Sequence, residues 1–209
     1  MLQIDIFSDL ICPWCFVGKR RLDRVLAEET MPVALRWRAY QLRPGLPEAG
    51  IDRQNFLRQR FGDAADPARL PERLASEAEA EQIEFAYQRV AKIPNTKLGH
   101  RLMAAAEPLG LQHELAEALF RAYFIEGVDV GERQALRQLA IVSGFSAEQA
   151  EQALTDQRWL DVVEADLAAA QEHDVSGVPC LIFAGKFPLP GVQADDVLRH
   201  FITRAAARM

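Results

Sequence analysis

The chain has 209 residues, of which 49% are hydrophobic and 26% charged, and its net charge at pH 7 is −6. This composition is that of a globular chain large enough to bury a sizeable core. Lysine and arginine are scattered without a basic block, so nucleic acid and anionic membranes are not expected partners. No apolar run approaches the roughly 20 residues of a membrane-spanning helix.

The N-terminal residues predict a strand that leads into a helix. Leu2 to Phe7 alternates and carries β-branched or aromatic residues, which is typical of a strand. Apolar residues then recur along one side of a 3.6-residue helix, while most charged residues fall on the other side. The apolar positions are Cys15, Gly18, Leu22, Val25 and Leu26, and the charged ones are Lys19, Arg20, Asp23 and Arg24. No basic segment with an apolar core precedes this strand, which favours the cytoplasm, where thiols stay reduced.

Two cysteines, Cys12 and Cys15, lie with two residues between them where the strand gives way to the helix. Pro13 suits the first helical turn, which places Cys12 at the helix N-terminus. Unpaired backbone N–H groups and the positive end of the helix dipole stabilise a thiolate there. Cys15, one turn further on the apolar side, fits a shielded resolving thiol. The predicted cycle is attack by Cys12 on a disulfide, followed by release through Cys15.

Three other interpretations of the pair are weaker. A structural zinc site needs four ligands, and the sequence has no second Cys-x-x-Cys, so we expect no metal. His113, His173 and His200 have no convergent partners in the sequence either. A structural disulfide across so short a loop would constrain the unfolded chain little. Inert buried thiols are disfavoured because a strand followed by a helix is the setting of redox-active pairs.

The middle of the chain is predicted to be helical. Residues 33–40 alternate as a second strand, parallel to the first. Prolines and a glycine at 41–47 predict a loop. From about residue 51 to about residue 170 we predict no strand, and helices at 53–61, 72–92, 96–106, 111–124, 132–143, from Ser146, and at 156–172. Within 72–92 the predicted apolar stripe is Ile83, Tyr87 and Val90.

The C-terminal residues return to sheet patterns. Residues 180–183 predict a strand, 184–185 a turn, and 186–187 the start of a return strand stopped by Pro188 and Pro190. An amphipathic helix follows from Ala194. The order β-α-β, helices, β-β-α predicts an α/β fold with a large all-helical insertion.

Several segments together resemble the DsbA-like branch of the thioredoxin fold, and most closely the cytoplasmic FrnE-like oxidoreductases. They are residues 7–15, 37–44, Asn95-Thr96 with 100–102, 119–124, 175–179 and 191–193. The resemblance implies a thioredoxin-like domain of residues 1–43 and 171–209, and a helical insertion domain of residues 44–170. It implies a protein or low-molecular-weight disulfide as the substrate, with no tightly bound cofactor.

The resemblance also implies the roles of the site residues. Cys12 and Cys15 would be catalytic, and Pro13, Trp14, Val178 and Pro179 would bind substrate. Pro179 would follow a cis peptide bond beside the dithiol. The backbone at Val178 would pair with an extended substrate or with glutathione.

Two residues depart from the better-known members of the family. Periplasmic DsbA proteins carry histidine at the position of Trp14, so we expect a less oxidising couple here. Cys180 directly follows Pro179, and it is either a small apolar side chain in a buried strand or a third redox thiol. The sequence does not predict the oligomeric state.

Alternatives stay open for the function and for several side chains. A glutathione-dependent isomerase or transferase of the kappa type would carry serine at the position of Cys12, and a non-catalytic peptide-binding chaperone would not need both sulfurs. His100 lines the cleft or is a structural residue. Asn95 and Thr96 line the cleft or cap a helix. Trp14 and Phe16 form an apolar rim or lie under the helical part of the chain.

Overall fold

The computed structural model describes residues 1–63 and 66–208. Strand β1, Leu2–Ser8, pairs in parallel with β2, Val33–Ala39, in a register that runs from Leu2 opposite Val33 to Ser8 opposite Ala39. Helix α1, Pro13–Leu26, connects them. The predicted strand, helix and parallel strand are therefore confirmed.

The rest of the chain adds two very short strands, eight α-helices and a C-terminal hairpin within the described residues. In chain order these are β3 Ile51–Asp52, α2 Arg53–Phe61, α3 Glu72–Ala80, β4 Lys92–Ile93, α4 Lys97–Ala106, α5 Gln112–Arg121, α6 Arg133–Val142, α7 Ala147–Thr155, α8 Gln157–Glu172, β5 Cys180–Phe183, β6 Phe187–Pro190 and α9 Asp195–Ala206. Residues Ala122–Glu126 continue α5 as a π-helical turn. The helix predicted from Ser146 is present and begins with a capping box, in which the Ser146 and Gln149 side chains each accept the other residue's backbone N–H.

The main sheet has the strand order β2-β1-β5-β6, with β5 antiparallel to both of its neighbours. Ile4 and Ile6 belong to the large core that α1 and α9 share. Phe7 points to the opposite face, where it packs with Ala170 of α8 and Ile182 of β5. The two faces of the sheet are therefore both covered by helices, as a thioredoxin fold requires.

The helical middle part packs onto the sheet. Helices α4, α5 and α8 contact β2, and α3 and α5 contact α1. One continuous core contains Leu22 of α1, Leu102 of α4 and Phe120 of α5. The division into residues 1–43 with 171–209 and residues 44–170 stays a prediction, since this core runs across it.

The predicted helix over residues 72–92 is wrong beyond Ala80. Gln82 has a left-handed backbone, φ 55°, and the Ile83 N–H bonds back to the Ala78 carbonyl at 2.8 Å, which closes the helix. The Ala86 N–H then donates to the Phe124 carbonyl at 2.8 Å. Backbone hydrogen bonds to other parts of the molecule therefore replace the hydrogen bonds that would continue the helix. The segment ends in β4, which pairs with β3, so the expectation of no strand in the middle is also wrong.

One smaller prediction needs correction, and one charged side chain has an environment that the sequence did not predict. Strand β6 continues through Pro188 to Pro190, because β6 is an edge strand and a missing N–H on its open side removes no ladder bond. The charged side of α1 is not open to water at Lys19, which is buried. Its ammonium lies 3.2 Å from Glu117 of α5 and 2.8 Å from Asp23.

Candidate active site

Cys12 is the N-cap residue of α1. Its backbone is extended, with φ −91° and ψ 110°, and Pro13 occupies the first turn, as predicted. The Cys12 N–H donates to the Asp9 carbonyl at 3.0 Å, and no side chain caps the helix. The positive end of the helix is therefore left to the Cys12 sulfur, which is 3% exposed.

Cys15 lies one turn further along and is 1% exposed, and both cysteines are free thiols. Burial raises the pKa of Cys15 well above that of a free thiol, and the adjacent Cys12 raises it further through direct contact and through its charge. The Ser8 hydroxyl and the Asp9 backbone oppose this rise in pKa, because both can donate to a thiolate. Cys15 is thus the protonated, shielded member of the pair.

The Val178–Pro179 segment lies against the dithiol, although it is more than 160 residues away in sequence. The Val178–Pro179 peptide bond is cis. The Cys12 thiol donates to the Val178 carbonyl, with Sγ and oxygen 3.4 Å apart. Gly18 allows this close approach, since a Cβ on Gly18 would lie 3.2 Å from Cγ of Pro179. The structure therefore brings together Cys12, Cys15, Val178 and Pro179.

The two aromatic residues of the motif have different environments. Trp14 is half-buried, and the Arg73 guanidinium of α3 lies 5.4 Å from the centre of its ring. Phe16 is fully buried, with its ring stacked 5.4 Å from that of Phe120. Only Trp14 is thus available as an apolar rim, and Phe16 lies under the helical part of the chain.

Cys180 packs on the other face of the sheet from the dithiol. It belongs to the small buried cluster of Phe7, Ala170 and Ile182, whereas Cys12 and Cys15 belong to the main core. Burial raises the pKa of Cys180, an effect that the Leu189 backbone partly opposes. This environment is that of a small apolar side chain in a buried strand.

The structure shows the positions of the three residues for which the sequence left two interpretations open, Asn95, Thr96 and His100. The Asn95 Oδ1 atom accepts the Lys97 N–H at 3.0 Å, and its Nδ2 atom donates to the Leu46 carbonyl at 2.8 Å, so Asn95 ties the start of α4 to the loop after β2. Thr96 is the N-cap residue of α4, without a side-chain cap bond. His100 is buried, and its Nε2 atom lies 3.5 Å from Oδ1 of Asp9.

Sequence reasoning gave no role in the site to Asp9 and Gly18, although the Asp9 carbonyl accepts the Cys12 N–H and Gly18 lies against Pro179. Asp9 carried a usable signal, because a carboxylate stood between an apolar strand and the apolar Leu10-Ile11 pair. Within residues 1–63 and 66–208, no group of three or more His, Cys, Asp or Glu side chains is placed to hold a metal ion. In the same part of the chain, no helix is long and apolar enough to cross a membrane.

Comparison with known proteins gives the same fold over nearly the whole chain. Residues 3–203 match the DSBA-like thioredoxin domain family. The YwbO protein of Bacillus subtilis (strain 168) is 27% identical over 203 residues, which cover 97% of this chain and 96% of that protein. A probable DsbA oxidoreductase from Streptomyces coelicolor superposes with a TM-score of 0.88 at 26% identity, covering 100% of this chain and 92% of that one.

A more distant structural neighbour is the cytosolic disulfide reductase DsbM from Pseudomonas aeruginosa, solved with GSH. It superposes with a TM-score of 0.66 at 15% identity and covers 99% of this chain and 100% of its own. At that identity the likeness shows the fold alone. The family match, in contrast, extends over the strand, the dithiol, the helical middle and the Val178–Pro179 segment. The chain therefore belongs to the DsbA-like thioredoxin domain family.

Proposed function

We propose that the protein is a thiol–disulfide oxidoreductase in which Cys12 is the nucleophile and Cys15 the resolving thiol. The observation that carries the proposal is the position of the Cys12 sulfur. It lies at an uncapped helix N-terminus, faces the Val178 carbonyl at 3.4 Å, and has Cys15 one turn behind it. A thiolate at this position is stabilised by the helix and is next to the thiol that resolves its mixed disulfide.

The exchange transfers two electrons in two steps. The Cys12 thiolate attacks one sulfur of the substrate disulfide, that bond breaks, and the other substrate sulfur leaves as a thiolate. Cys15, after losing its proton, attacks the Cys12 sulfur of the mixed disulfide, and the second substrate thiolate leaves. The substrate is then reduced to two thiols, and Cys12 and Cys15 form a disulfide.

Substrate recognition is proposed at the segment that faces Cys12. Val178 precedes Pro179 and directs its carbonyl at the thiol, so an extended substrate that pairs with the Val178 backbone would bring its disulfide to Cys12. Pro13 and Trp14, which directly follow Cys12 in the first turn of α1 and are both half-buried, are the other proposed substrate contacts. Both a protein segment and glutathione are extended enough to bind in this way, and the DsbM neighbour was solved with GSH. The proposal includes a cytoplasmic location, with the pair reduced at rest.

Insulin reduction tests the dithiol mechanism. We expect Cys12→Ser to lose the activity and Cys15→Ser to accumulate a mixed disulfide with the substrate, visible by mass spectrometry under non-reducing conditions. Cys180→Ala is the matched control, because it removes a buried thiol from the other face of the sheet and should keep the activity. Wild-type behaviour of both dithiol variants, or loss of activity in Cys180→Ala, would contradict the proposal.

The same variants distinguish the two alternative functions. An isomerase activity that needs added glutathione and persists in Cys15→Ser would favour a kappa-type transferase or isomerase. Suppression of aggregation by a variant that lacks both sulfurs would favour a chaperone. The presence of Cys15 behind Cys12 favours redox exchange over both, since neither alternative uses a resolving thiol.

A further inference from the structure

Helix α3 runs parallel to α1, with its first residues at the end of α1 that carries the dithiol. Arg73, in the first turn of α3, contacts Trp14 in the first turn of α1. One turn further along each helix, Glu77 pairs with Arg21. The contacts therefore advance along both helices in the same direction, and they place the exposed Arg73 side chain beside Trp14, two residues from Cys12.

The positive charge of Arg73 is not neutralised by a carboxylate. Its guanidinium lies 5.4 Å from the centre of the Trp14 ring, and it makes no ion pair within the described part of the chain. Glu72 is exposed in the same turn of α3, but adjacent residues of a helix do not face each other. A ring face attracts a cation and has no net charge, so the contact with Trp14 holds the guanidinium near the dithiol and leaves its charge intact.

A second arginine lies near the dithiol in the loop after β2. The Asp9 backbone carbonyl accepts the Cys12 N–H at 3.0 Å, and the Asp9 Oδ2 atom accepts the Leu42 N–H at 2.7 Å. Arg43 directly follows Leu42 and is half-buried. Its guanidinium lies 4.4 Å from the centre of the Phe56 ring and, among the described residues, forms no ion pair. Arg43 is thus also held by an aromatic ring with its charge intact.

The carboxylates around these two arginines are buried or already paired. Asp9 is fully buried. Glu77 and Glu81 both pair with Arg21. The two arginines therefore present positive charge to a substrate at the dithiol, although the whole chain has a net charge of −6.

We propose that Arg43 and Arg73 select disulfides that carry acidic groups close to the sulfur atoms, such as a protein disulfide flanked by aspartate or glutamate. This selection rests on the proposed oxidoreductase function. The attacking Cys12 thiolate is negative and, by itself, repels an anionic substrate. The two guanidiniums offset this repulsion and attract carboxylates, which raises the rate at which an anionic disulfide reaches Cys12. Both arginines determine specificity, and neither takes part in the bonds that form and break.

Three small disulfides that differ in the charge of their end groups measure this selection. Dithiodipropionate ends in carboxylates, hydroxyethyl disulfide in hydroxyls and cystamine in ammonium groups. Reduced protein is mixed with each disulfide at low ionic strength, quenched in acid at intervals and analysed by mass spectrometry, which gives the rate constant for loss of the reduced dithiol. Each variant is compared with the wild type for the same disulfide, which cancels the differences in leaving-group reactivity between the disulfides.

We expect Arg73→Glu to lower the rate constant for dithiodipropionate about threefold and to raise that for cystamine by a similar factor. A charge reversal about 10 Å from one charged group of the substrate has an effect of this size in water. The rate constant for hydroxyethyl disulfide should not change, and Arg43→Glu should act in the same direction as Arg73→Glu. Both effects should disappear in about 1 M NaCl, where the screening length falls to about 3 Å.

Arg204→Glu is the matched control. Arg204 is exposed on α9, makes no ion pair with a described residue, and lines a surface cavity together with Phe187. Strand β5 begins beside the dithiol segment and ends at Phe183, which pairs with Phe187, so this cavity lies at the other end of the sheet. Arg204→Glu should therefore keep the wild-type rate constants for all three disulfides.

Damage to the fold would change the three rate constants in the same direction, so opposite changes for the two charged disulfides are the result that supports the selection. Arg43→Glu decides the question if Arg73→Glu fails to fold. Rate constants that do not change, or that change equally for the three disulfides, in the folded variants would overturn the selection. A reduced wild-type protein that does not react with hydroxyethyl disulfide would instead overturn the proposed function.

Discussion

At the first turn of α1 the Cys12 thiol is buried against a backbone carbonyl, whereas two turns later the same helix buries Lys19 and Arg21 against four carboxylates. Three of these carboxylates come from the helical middle of the chain. Glu77 is on α3, Glu81 follows α3, and Glu117 is on α5.

The difference shows how one helix serves two purposes. Buried charges need partners with good geometry, so the joint between α1 and the helical middle is a place where sequence changes are costly. The first turn, in contrast, leaves its backbone N–H groups without a side-chain cap, and a sulfur anion can use them. We therefore expect substitutions at the joint to change stability, and substitutions at the first turn to change chemistry.

The largest effect that would test this comparison is expected for Arg21→Ala. Arg21 lies 2.7 Å from Glu81 and 2.5 Å from Glu77, and the Glu81 side chain is almost fully buried. Removing the cation leaves a buried carboxylate whose one remaining charged partner among the described residues is the more exposed Arg24, so we expect the free energy of unfolding to fall by about 3 kcal/mol. Urea unfolding monitored by circular dichroism measures this change.

Arg133→Ala is the control for Arg21→Ala. Arg133 pairs with Glu151, and both side chains are about half exposed, so the loss should stay below about 1 kcal/mol. The folded Arg21→Ala protein should react with a small disulfide through Cys12 at the wild-type rate. Equal losses of stability in the two variants, or a slower Cys12 reaction in folded Arg21→Ala, would remove the distinction between joint and first turn.

The same helix shows which features the sequence could predict. The strand before Cys12, Pro13 in the first turn and the apolar side with Leu22 and Val25 depend on local patterns, and they were predicted to within about one residue. The resemblance placed Pro179 beside the dithiol, and this contact would not follow from local pattern, since the two segments are distant in the chain. The burial of Lys19 was missed because the elements that cover it come from elsewhere in the chain.

The segment after α3 shows more clearly what the sequence pattern could not predict. Ile83 and Val90 are buried, as a helical stripe predicts, yet the backbone between them is not α-helical and holds only a short 3-10 turn, Tyr87–Arg89. Arg53 donates to the Tyr87 carbonyl at 3.1 Å and lies over the Tyr87 ring, and the Phe85 ring packs edge-on against Phe124. These long-range contacts outweigh the local helix propensity. The pattern of a single sequence does not reveal such contacts. Likewise, no sequence pattern around His100 indicated that its side chain lies beside Asp9.

An intermediate effect is expected for Phe16→Leu, which tests the apolar part of the same joint. Phe16 stacks on Phe120 and Phe124, with ring centres 5.4 and 6.3 Å apart. Leucine keeps most of the volume but loses the ring contacts, so the free energy of unfolding should fall by about 1–1.5 kcal/mol. Phe61→Leu is the control, because Phe61 is exposed on α2 and should change stability by less than about 0.5 kcal/mol. A loss in Phe16→Leu no larger than in the control would show that this face of α1 is loosely packed.

The smallest effect is the pH dependence that Asp23 gives to the joint. Burial alone would raise the pKa of Asp23, but hydrogen bonds from His113 and Lys19 and the positive charge of Lys19 lower it below the usual value. A lowered pKa in the folded state means that the unfolded chain takes up the proton first as the pH falls. The stabilisation from Asp23 is therefore fully present above about pH 4 and is lost as the pH falls through the folded-state pKa.

In Asp23→Asn, the free energy of unfolding should be lower than in the wild type near neutral pH. The free energy of unfolding should also depend less on pH below about pH 4 in the variant. Both differences from the wild type should be no more than about 1 kcal/mol, because Asp23 is about one-third exposed. Urea unfolding at a series of pH values measures both differences. Asp161→Asn on α8, which is exposed and bonds only Gln157 among the described residues, should reproduce the wild-type curve. A variant curve parallel to the wild type down to low pH would mean that Lys19 and His113 do not hold the Asp23 charge, and the charged part of the joint would then consist of the Lys19–Glu117 pair and of Arg21 with its two glutamates.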